Sequence, residues 1–218
     1  MPSKKNNDDN INFYEKIDVS AFAEMANKGG FDDYSDLEIA YEYFKNSKKV
    51  LEIGAGYGRC IDFLIQKGYS GKIWAVEYSK SLYDYLIKKY QNKEIQILHQ
   101  DIKTFDFTHK IDTALWMWSG FIDFTETEQE LCVQRLYSRL EDNGLLIIDV
   151  PRFGIQTIAN HSDAQNIHYE TSYGSIDCFI PNSANMQNYA TNAGFKSVQN
   201  IEYETNKNKG RSMYIFQK

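Results

Sequence analysis

Residues 50 to 59 read VLEIGAGYGR, and this stretch decides the class of fold. A short, mostly apolar run is followed by Gly54, Gly56 and Gly58, and an amphipathic segment begins directly afterwards. Glycine is needed where the backbone turns sharply and where a ligand must approach the chain without a Cβ in its way. The amides at the start of the next helix can also hold an anionic group. The stretch therefore predicts a strand, a ligand-binding turn and a helix; a tight turn made only for packing is the alternative.

Outward from this turn, short apolar runs alternate with amphipathic segments. Strands are predicted over residues 50–53, 73–77, 95–99, 111–116 and 145–150, and helices over residues 60–67, 81–90 and 126–140. Runs rich in Ile, Val and Leu suit strands that are buried on both faces of a parallel sheet. A helix over 183–193 precedes strands at 196–204 and 213–216, whose short connection requires antiparallel pairing. The pattern predicts an α/β fold: a doubly wound, mostly parallel seven-stranded sheet with a C-terminal antiparallel hairpin.

The first 47 residues differ from this alternation. Residues 1–10 are polar and predict a disordered tail, and residues 11–47 predict an N-terminal helical cap, or lid. Its first helix presents Tyr14, Ile17, Ala21 and Met25 on one face and ends at Gly29 and Gly30; its second begins with a capping box from Ser35 to Glu38. The main domain is then residues 48–218. Within it, residues 152–181 form a long insertion that we expect to fold as a hairpin covering the substrate.

Composition excludes several classes of protein. The net charge is −6, with 24 Lys and Arg against 30 Asp and Glu, so an extended nucleic-acid contact is not expected. The 3 Cys have no paired spacing, which argues against a disulfide framework or a zinc site and favours a reducing compartment. The polar N-terminus lacks a signal peptide's apolar stretch, and no run approaches the roughly 18 apolar residues of a membrane span. We therefore expect a cytoplasmic protein without a metal, either a monomer or a homodimer.

Acidic residues collect at the ends of the predicted strands. Glu77 ends the second strand, about 20 residues after the glycines, the spacing at which an acid binds both hydroxyls of a ribose. Asp101, followed by Ile102, ends the third strand, and Asp149 lies near the end of the fifth. The carboxyl ends of the strands are where open α/β sheets bind ligands. For any one of these acids the alternative is a helix cap or a solvated loop position.

With these residues in view, the stretch from residue 50 to 150, and less specifically on to 218, resembles the class I S-adenosylmethionine-dependent methyltransferases. The turn has their G-x-G-x-G pattern, Gly54-Ala55-Gly56-Tyr57-Gly58, rather than the G-x-G-x-x-G of dinucleotide dehydrogenases. The resemblance implies that Glu52 and the glycine turn face the methionine part of S-adenosylmethionine, and that Arg59 also belongs to the cofactor-binding residues. It implies that Glu77 holds the ribose hydroxyls, that Asp101 and Ile102 receive the adenine, and that Tyr78 is a further cofactor-binding residue. Trp116, Met117 and Trp118 would lie beside the sulfonium and the incoming substrate. Carboxylates and aromatic rings suit such a cation.

Departures from related enzymes narrow the methyl acceptor. The segment WMWSGFIDF, residues 116–124, lacks the Asn/Asp-Pro-Pro-aromatic signature of enzymes that methylate DNA amines. It also lacks the Pro-Cys pair of cytosine C5 enzymes, and no Lys-Asp-Lys-Glu set of ribose 2′-O enzymes is evident. With the acidic balance, this favours N- or O-methylation of a small molecule, with a protein acceptor as the alternative.

No catalytic residue is assigned from the sequence. Candidates for substrate contact lie in the lid or in connections that leave the carboxyl edge: Tyr14, Trp118, Phe121, Arg152 and His168. Tyr14 has an alternative role as a helix-packing aromatic, and His168 as a structural or exposed histidine. Trp116 can equally be a core residue.

Two other functions stay open at this stage. A nicotinamide-dependent oxidoreductase would share the strand, glycine turn, helix and acid, and a non-catalytic cofactor-binding domain would explain the lack of a clear general base. On the methyltransferase interpretation, a side chain added at Gly56 would occupy the ligand's space.

Overall fold

A seven-stranded sheet organises the chain. The computed structural model describes residues 7–154 and 165–218. The helices are α1 (Asn7–Lys16), α2 (Val19–Gly29), α3 (Ser35–Phe44), α4 (Arg59–Gln66), α5 (Lys80–Lys89), α6 (Glu126–Arg139) and α7 (Ser183–Ala193), with a 3₁₀ turn at Gly120–Asp123. The strands are β1 (Lys49–Ile53), β2 (Lys72–Glu77), β3 (Ile95–His99), β4 (Ile111–Trp116), β5 (Leu140–Pro151), β6 (Asn166–Thr171), β7 (Gly174–Phe179), β8 (Ser197–Glu204) and β9 (Gly210–Gln217).

The strand order of the large sheet is β3-β2-β1-β4-β5-β9-β8. The first five strands are parallel, and β9 pairs antiparallel with both β5 and β8. The predicted mostly parallel sheet with its closing antiparallel hairpin is therefore confirmed. β1 and β4 are neighbours although β2 and β3 lie between them in sequence, and such a crossover opens a crevice at the carboxyl edge of the sheet.

The core lies on both faces of this sheet. One apolar cluster contains Leu51, Trp116 and Ile148, and the other contains Val50, Leu115 and Ile147. Successive residues of a strand point to opposite faces, so consecutive apolar residues serve both clusters. This explains why these strands are continuous apolar runs in the sequence.

The N-terminal lid departs from its prediction in three ways. The single helix expected over Tyr14 to Met25 is two helices, because Asp18 adopts an extended conformation and its side chain accepts a hydrogen bond from the Ser20 amide (3.1 Å), which starts α2. Met25 is consequently 41 % exposed. Residues 7–10 are helical rather than part of a tail, and Asn10 is buried against the hairpin. Residues 1–6 lie outside the described residues.

The cap of α3 is also different from the expected capping box. Tyr34, in the left-handed conformation (φ 58°), occupies the N-cap position, and its side chain makes no capping hydrogen bond. Ser35 is already helical, and its amide donates instead to Asp33. By contrast, the capping box of α6 forms as the sequence indicates, with Thr125 and Glu128 bonded to each other's backbone.

Part of the long insertion forms a hairpin of its own. β6 and β7 pair antiparallel, separate from the large sheet. α1 packs against this hairpin, where the Asn10 amide donates to the Asp177 carbonyl (2.8 Å). Residues 155–164 of the insertion lie outside the described residues.

Candidate cofactor and acceptor site

The three glycines of the turn have different surroundings. A Cβ added at Gly54, which has φ +68°, would meet no atom closer than 3.9 Å, so this part of the backbone faces open space. A Cβ at Gly56 would lie 2.9 Å from the ring of Phe22, and one at Gly58 would lie 2.3 Å from the Tyr90 hydroxyl. The expectation that Gly56 leaves room for a ligand is therefore wrong: the bare backbone there admits the protein's own α2.

Glu77 is bound to the glycine turn itself. One carboxylate oxygen accepts the Gly56 amide (2.7 Å) and the other accepts the Ser79 amide (2.8 Å). Burial raises the pKa of Glu77 to about 6, and these amides act against that rise. Each carboxylate oxygen has a second lone pair, so Glu77 can accept further hydrogen bonds from a ligand.

Glu52 differs from Glu77 because, in the part of the chain that the structure describes, backbone amides do not satisfy both of its carboxylate oxygens. It is only 3 % exposed, and its Oε2 atom has no hydrogen-bond partner within the described part of the chain. Burial raises the pKa of Glu52 to about 8, with the Cys60 thiol and Arg59 opposing the rise. A buried polar atom without a partner is costly, so this oxygen favours a ligand that donates to it.

Arg59 is engaged elsewhere than the sequence suggests. Its guanidinium donates to both oxygens of Asp36 (2.8 and 2.6 Å) and to the Phe31 carbonyl (3.3 Å). The ion pair is buried and joins the start of α4 to α3. The side chain borders the site, but its hydrogen bonds lock the lid to the main domain.

The residues expected at the adenine and ribose lie at the tips of β2 and β3. Ile102 is buried, while Tyr78 is more than a third exposed. Asp101 accepts the Lys103 amide (2.8 Å), and the Lys103 ammonium lies 3.8 Å from its other oxygen. Tyr78, Asp101 and Ile102 all line the cavity described below.

The end of β4 carries an unusual turn. Trp116 and Met117 are buried, and Trp118 and Ser119 both have positive φ, 52° and 69°. That conformation is uncommon for residues other than glycine. It directs the Trp118 ring onto Phe22, with ring centroids 4.9 Å apart.

Asp149 holds that turn in place. It accepts the Trp118 amide (3.2 Å) and the Tyr203 hydroxyl (2.7 Å), and it forms a buried ion pair with Arg211 (2.5 Å). Arg211 also donates to the Ser119 hydroxyl (2.8 Å). Asp149 is thus neither a helix cap nor a solvated loop residue; its hydrogen bonds are made within the protein.

A second carboxylate faces the site from the 3₁₀ turn. Asp123 accepts the Tyr14 hydroxyl at 2.5 Å, and the Cys178 sulfur lies 3.9 Å from its other oxygen. Burial raises the pKa of Asp123 to about 7, against the lowering effect of these two contacts. Burial, and then the Asp123 charge, raise the pKa of Tyr14 well above its usual value.

One cavity of about 690 Å³ brings these groups together. Except for Gly58, all residues proposed from the sequence for the cofactor line this cavity. They are Glu52, Gly54, Ala55, Gly56, Arg59, Glu77, Tyr78, Asp101, Ile102, Trp116 and Met117. Gly58 caps α4 beneath Tyr90. The lid adds Phe13, Tyr14 and Phe22, and the hairpin adds Tyr169, Ile176 and Cys178. Trp118 and Asp123 complete the side toward the hairpin.

Three candidate residues do not line this cavity. His168 bonds Asp177 (2.8 Å) and Glu170 (2.7 Å) on the exposed side of the hairpin, because alternation places it opposite Tyr169. Arg152 donates to the Tyr203 carbonyl (3.0 Å). Phe121 is fully buried, packed on Trp116 and Tyr189. The candidacies of His168, Arg152 and Phe121 as substrate contacts are therefore wrong for this structure.

Sequence reasoning missed Asp36, Asp123 and Arg211. Asp36 and Arg211 carry no local signal, because their ion-pair partners are 23 and 62 residues away. Asp123 does carry a local signal in the sequence, because it is an acid between Ile122 and Phe124 in a connection that leaves the carboxyl edge of the sheet. An acid flanked by apolar residues in such a place is a candidate for a buried functional group.

Comparison with known proteins agrees with this geometry. Residues 50–144 match a family model described as a methyltransferase domain. A solved S-adenosylmethionine-dependent methyltransferase from Clostridium acetobutylicum ATCC 824 has a TM-score of 0.68 at 14% identity, covering 91% of this chain and 98% of that one. An amino pentose methyltransferase from Micromonospora echinaspora, involved in calicheamicin biosynthesis and solved with S-adenosylmethionine, gives 0.67 at 12%, covering 92% and 97%.

A third similar structure is the 1,6-didemethyltoxoflavin-N1-methyltransferase of Burkholderia thailandensis, with its substrate and S-adenosylhomocysteine bound. Its TM-score is 0.63 at 17% identity, and the match covers 92% of this chain and 86% of that one. At these identities the likeness shows the fold. No curated protein matches the chain in sequence.

The fold and the matched domain define a methyltransferase. Residues 50–144 are those of a methyltransferase domain, and the fold of the chain is one that S-adenosylmethionine-dependent methyltransferases have. The matched domain favours a methyltransferase over the oxidoreductase considered above.

Among residues 7–154 and 165–218, no helix is long and apolar enough to cross a membrane. Within the same ranges, no three or more His, Cys, Asp or Glu side chains converge where they could hold a metal ion.

Proposed function

We propose that this protein transfers the methyl group of S-adenosylmethionine to a nitrogen or oxygen of a small molecule. Glu52 and the backbone at Gly54 and Ala55 would hold the methionine part of the cofactor. Glu77 and Tyr78 would hold the ribose, and Asp101 and Ile102 the adenine. The cofactor supplies a methyl carbon made electrophilic by the adjacent sulfonium.

The observation that carries the proposal is the unpartnered Oε2 atom of Glu52. It is buried, it borders the cavity, and it lies one residue from the open backbone of Gly54. The methionine part of S-adenosylmethionine carries a cationic amino group, which would give this oxygen a charge-assisted hydrogen bond. The same ammonium would lower the pKa of Glu52 from about 8 and keep it ionised.

The boundaries of the cavity support a small acceptor. α1, α2 and the hairpin cover the carboxyl edge of the sheet, and the volume of about 690 Å³ lies in the range of small-molecule sites. Two of the enzymes with similar structures are described as methyltransferases of an amino pentose and of 1,6-didemethyltoxoflavin. Both are small molecules, which favours the same class here over a protein side chain.

The aromatic walls would contribute orientation. Trp118, Phe22 and Tyr14 form a contiguous group, with centroids 4.9 Å apart for the first pair and 5.9 Å for the second. Rings fixed by mutual packing can hold an acceptor in line with the methyl group, and alignment alone is a large part of the rate of such reactions.

The location and assembly of the protein remain proposals as well. The three cysteines are free and buried, which suits a reducing compartment such as the cytoplasm. We keep monomer and homodimer as the two expected states, which sedimentation velocity separates.

A labelling experiment tests the function. The protein is incubated with methyl-labelled S-adenosylmethionine and a cell lysate divided into metabolite and protein fractions. We expect label in the metabolite fraction alone. Label confined to proteins would instead identify a protein methyltransferase.

A matched pair of variants tests the assigned cofactor residues by calorimetry with S-adenosylhomocysteine. Glu77→Ala removes a charged acceptor and should weaken binding by about 1.5–3 kcal/mol. Asp84→Ala, which removes an exposed acid on α5 outside the cavity, should bind like the unmodified protein. Native affinity in Glu77→Ala would remove Glu77 from the site.

A further inference from the structure

Asp123 lines the cavity beneath the lid, and the proposed cofactor contacts give it no role. Glu52, Glu77 and Asp101 are assigned above to the cofactor, and Glu170 sits on the hairpin. Asp123 instead ends the 3₁₀ turn that follows Trp118, where α1 and the hairpin meet the carboxyl edge of the sheet.

Among the described residues, the Asp123 carboxylate has no cationic partner. Its contacts are the Tyr14 hydroxyl, which donates to one oxygen at 2.5 Å, and the Cys178 sulfur, 3.9 Å from the other. The two other buried aspartates near the site are neutralised by arginine, Asp36 by Arg59 and Asp149 by Arg211. Paired acids of that kind serve the fold, whereas a partly buried carboxylate facing a cavity without a counter-ion favours a cationic ligand.

We propose that Asp123, oriented by Tyr14, binds the acceptor's amino group and accepts its proton, so that the substrate is an amine that is methylated on nitrogen. This inference rests on the proposed function and narrows it from nitrogen or oxygen to nitrogen. Asp123 is the catalytic residue in this scheme, because it contacts the reacting group, and Tyr14 is a positioning residue.

The chemistry balances without another reactant. The acceptor enters as an ammonium ion, and one N–H proton passes to the Asp123 carboxylate, which frees the nitrogen lone pair. That lone pair forms the new N–C bond while the methyl–sulfur bond breaks with its electron pair left on sulfur. The product leaves as a methylated ammonium ion, and the proton on Asp123 returns to solvent.

The properties of the dyad agree with this role. Burial raises the pKa of Asp123 to about 7, close to the value at which a general base works best near neutral pH. The Tyr14 hydroxyl does not compete as a base, because burial and the Asp123 charge keep its pKa well above the usual value. The Tyr14 ring packs against Phe13 and Phe22, and Phe13 in turn packs against Tyr173. These contacts limit the rotation of the Tyr14 side chain.

The main alternative is that the Tyr14–Asp123 contact only fastens α1 to the 3₁₀ turn. Asn10 offers a control for that role. Its amide donates to the Asp123 carbonyl (3.1 Å) and the Asp177 carbonyl (2.8 Å), so it joins the same elements, yet it does not line the cavity. Asn10→Ala should loosen the docking of α1 and leave the carboxylate in place.

The experiment is calorimetry on the protein saturated with S-adenosylhomocysteine, using benzylammonium and benzyl alcohol as probes. The two probes share a ring and differ in the cationic group. We expect Asp123→Asn, which keeps the shape of the side chain and removes its charge, to weaken benzylammonium binding at least tenfold. Asn10→Ala should stay within twofold for both probes, and benzyl alcohol should be insensitive to Asp123→Asn.

Equal benzylammonium affinity in the unmodified protein and Asp123→Asn, including no measurable binding to either, overturns the inference. So does an equal loss for benzyl alcohol, because a structural role would affect both probes. If Asp123→Asn does not fold, Tyr14→Phe replaces it; it keeps the ring and should weaken benzylammonium alone, at least threefold. If S-adenosylhomocysteine does not bind the unmodified protein, the proposed function itself is overturned. If it binds but Asp123→Asn leaves the affinity for benzylammonium unchanged, only the inference is overturned.

Discussion

Glu52 and Asp149 are both buried acids in parallel strands of one sheet, close to its carboxyl edge, yet their surroundings are opposite. Asp149 in β5 accepts hydrogen bonds from Arg211, Tyr203 and the Trp118 backbone. Glu52 in β1 has one oxygen that no residue of the described ranges bonds. The reason lies in the neighbouring strand, since β9 lies beside β5 and contributes Arg211, whereas β1 is flanked by β2 and β4.

The comparison teaches that an acid at the ligand-binding edge is not by itself a ligand residue. What separates the two is whether the fold provides a counter-charge. A satisfied acid stabilises the structure around the site, and an unsatisfied acid remains available to a bound molecule. The difference leads to four predictions on stability and binding.

The largest effect is expected at the satisfied acid. Asp149→Leu leaves the buried Arg211 charge without its partner and should lower the free energy of unfolding by about 3–5 kcal/mol, measured by urea denaturation. The double variant Asp149→Leu with Arg211→Met removes both charges and should recover most of that loss. A single variant within 1 kcal/mol of the unmodified protein would contradict the pairing.

The second effect is a pH dependence that comes from Glu52. Its pKa is about 8 in the folded protein and lies near 4.5 in the unfolded chain, so between these values the folded state binds more protons. The contribution of Glu52 to the free energy of unfolding without cofactor should therefore be greatest below pH 4.5. It should decrease as the pH rises through 8, by roughly 1.4 kcal/mol for each unit of pKa displacement.

Glu52→Gln isolates this contribution. Unfolding measured from pH 5 to 9 should lose the part of the slope that is due to Glu52, and the variant should be more stable than the unmodified protein at pH 9. The same slope in both proteins would show that Glu52 does not carry it.

The third effect concerns binding. Glu52→Gln should weaken S-adenosylhomocysteine binding by about 1–2 kcal/mol, because the variant exchanges a charged acceptor for a neutral one. Calorimetry at pH 7 provides the measurement. The control is Tyr203→Phe, which removes a hydrogen bond to Asp149 and should leave the affinity for S-adenosylhomocysteine unchanged. Unweakened binding in Glu52→Gln would place the cofactor's amino group elsewhere.

The smallest effect is expected for Tyr203→Phe itself. It removes one hydrogen bond to Asp149 and leaves the Arg211 pair, so the free energy of unfolding should fall by only about 1 kcal/mol. A loss as large as that of Asp149→Leu would mean that Tyr203, rather than Arg211, satisfies the carboxylate.

Most of the fold could be predicted because it follows from local periodicity. The five parallel strands, the helix over 183–193 and the final hairpin match the structure within a few residues, except for β5, which begins at Leu140 rather than 145. The lid was harder to predict. Asp18 separates α1 from α2 although the apolar spacing from Tyr14 to Met25 is continuous, so a local cap overrides the period.

The site divides in a similar way. Residues attached to the glycine turn and the strand tips line the cavity because strand direction alone brings them to one edge. His168 and Arg152 were placed wrongly, because their orientation depends on the register of β6 and on the position of β8. Asp123 was overlooked because its importance depends on Tyr14, 109 residues away.

The sequence by itself determined the alternation of strands and helices, the glycine turn, and hence the class of cofactor, since each depends on residues within one turn or strand. Tertiary structure alone decided which acids have a counter-charge and which side chain fills the space above each glycine. These properties depend on contacts between residues distant in sequence: Arg211 reaches Asp149, Phe22 covers Gly56, and no described residue satisfies the second oxygen of Glu52.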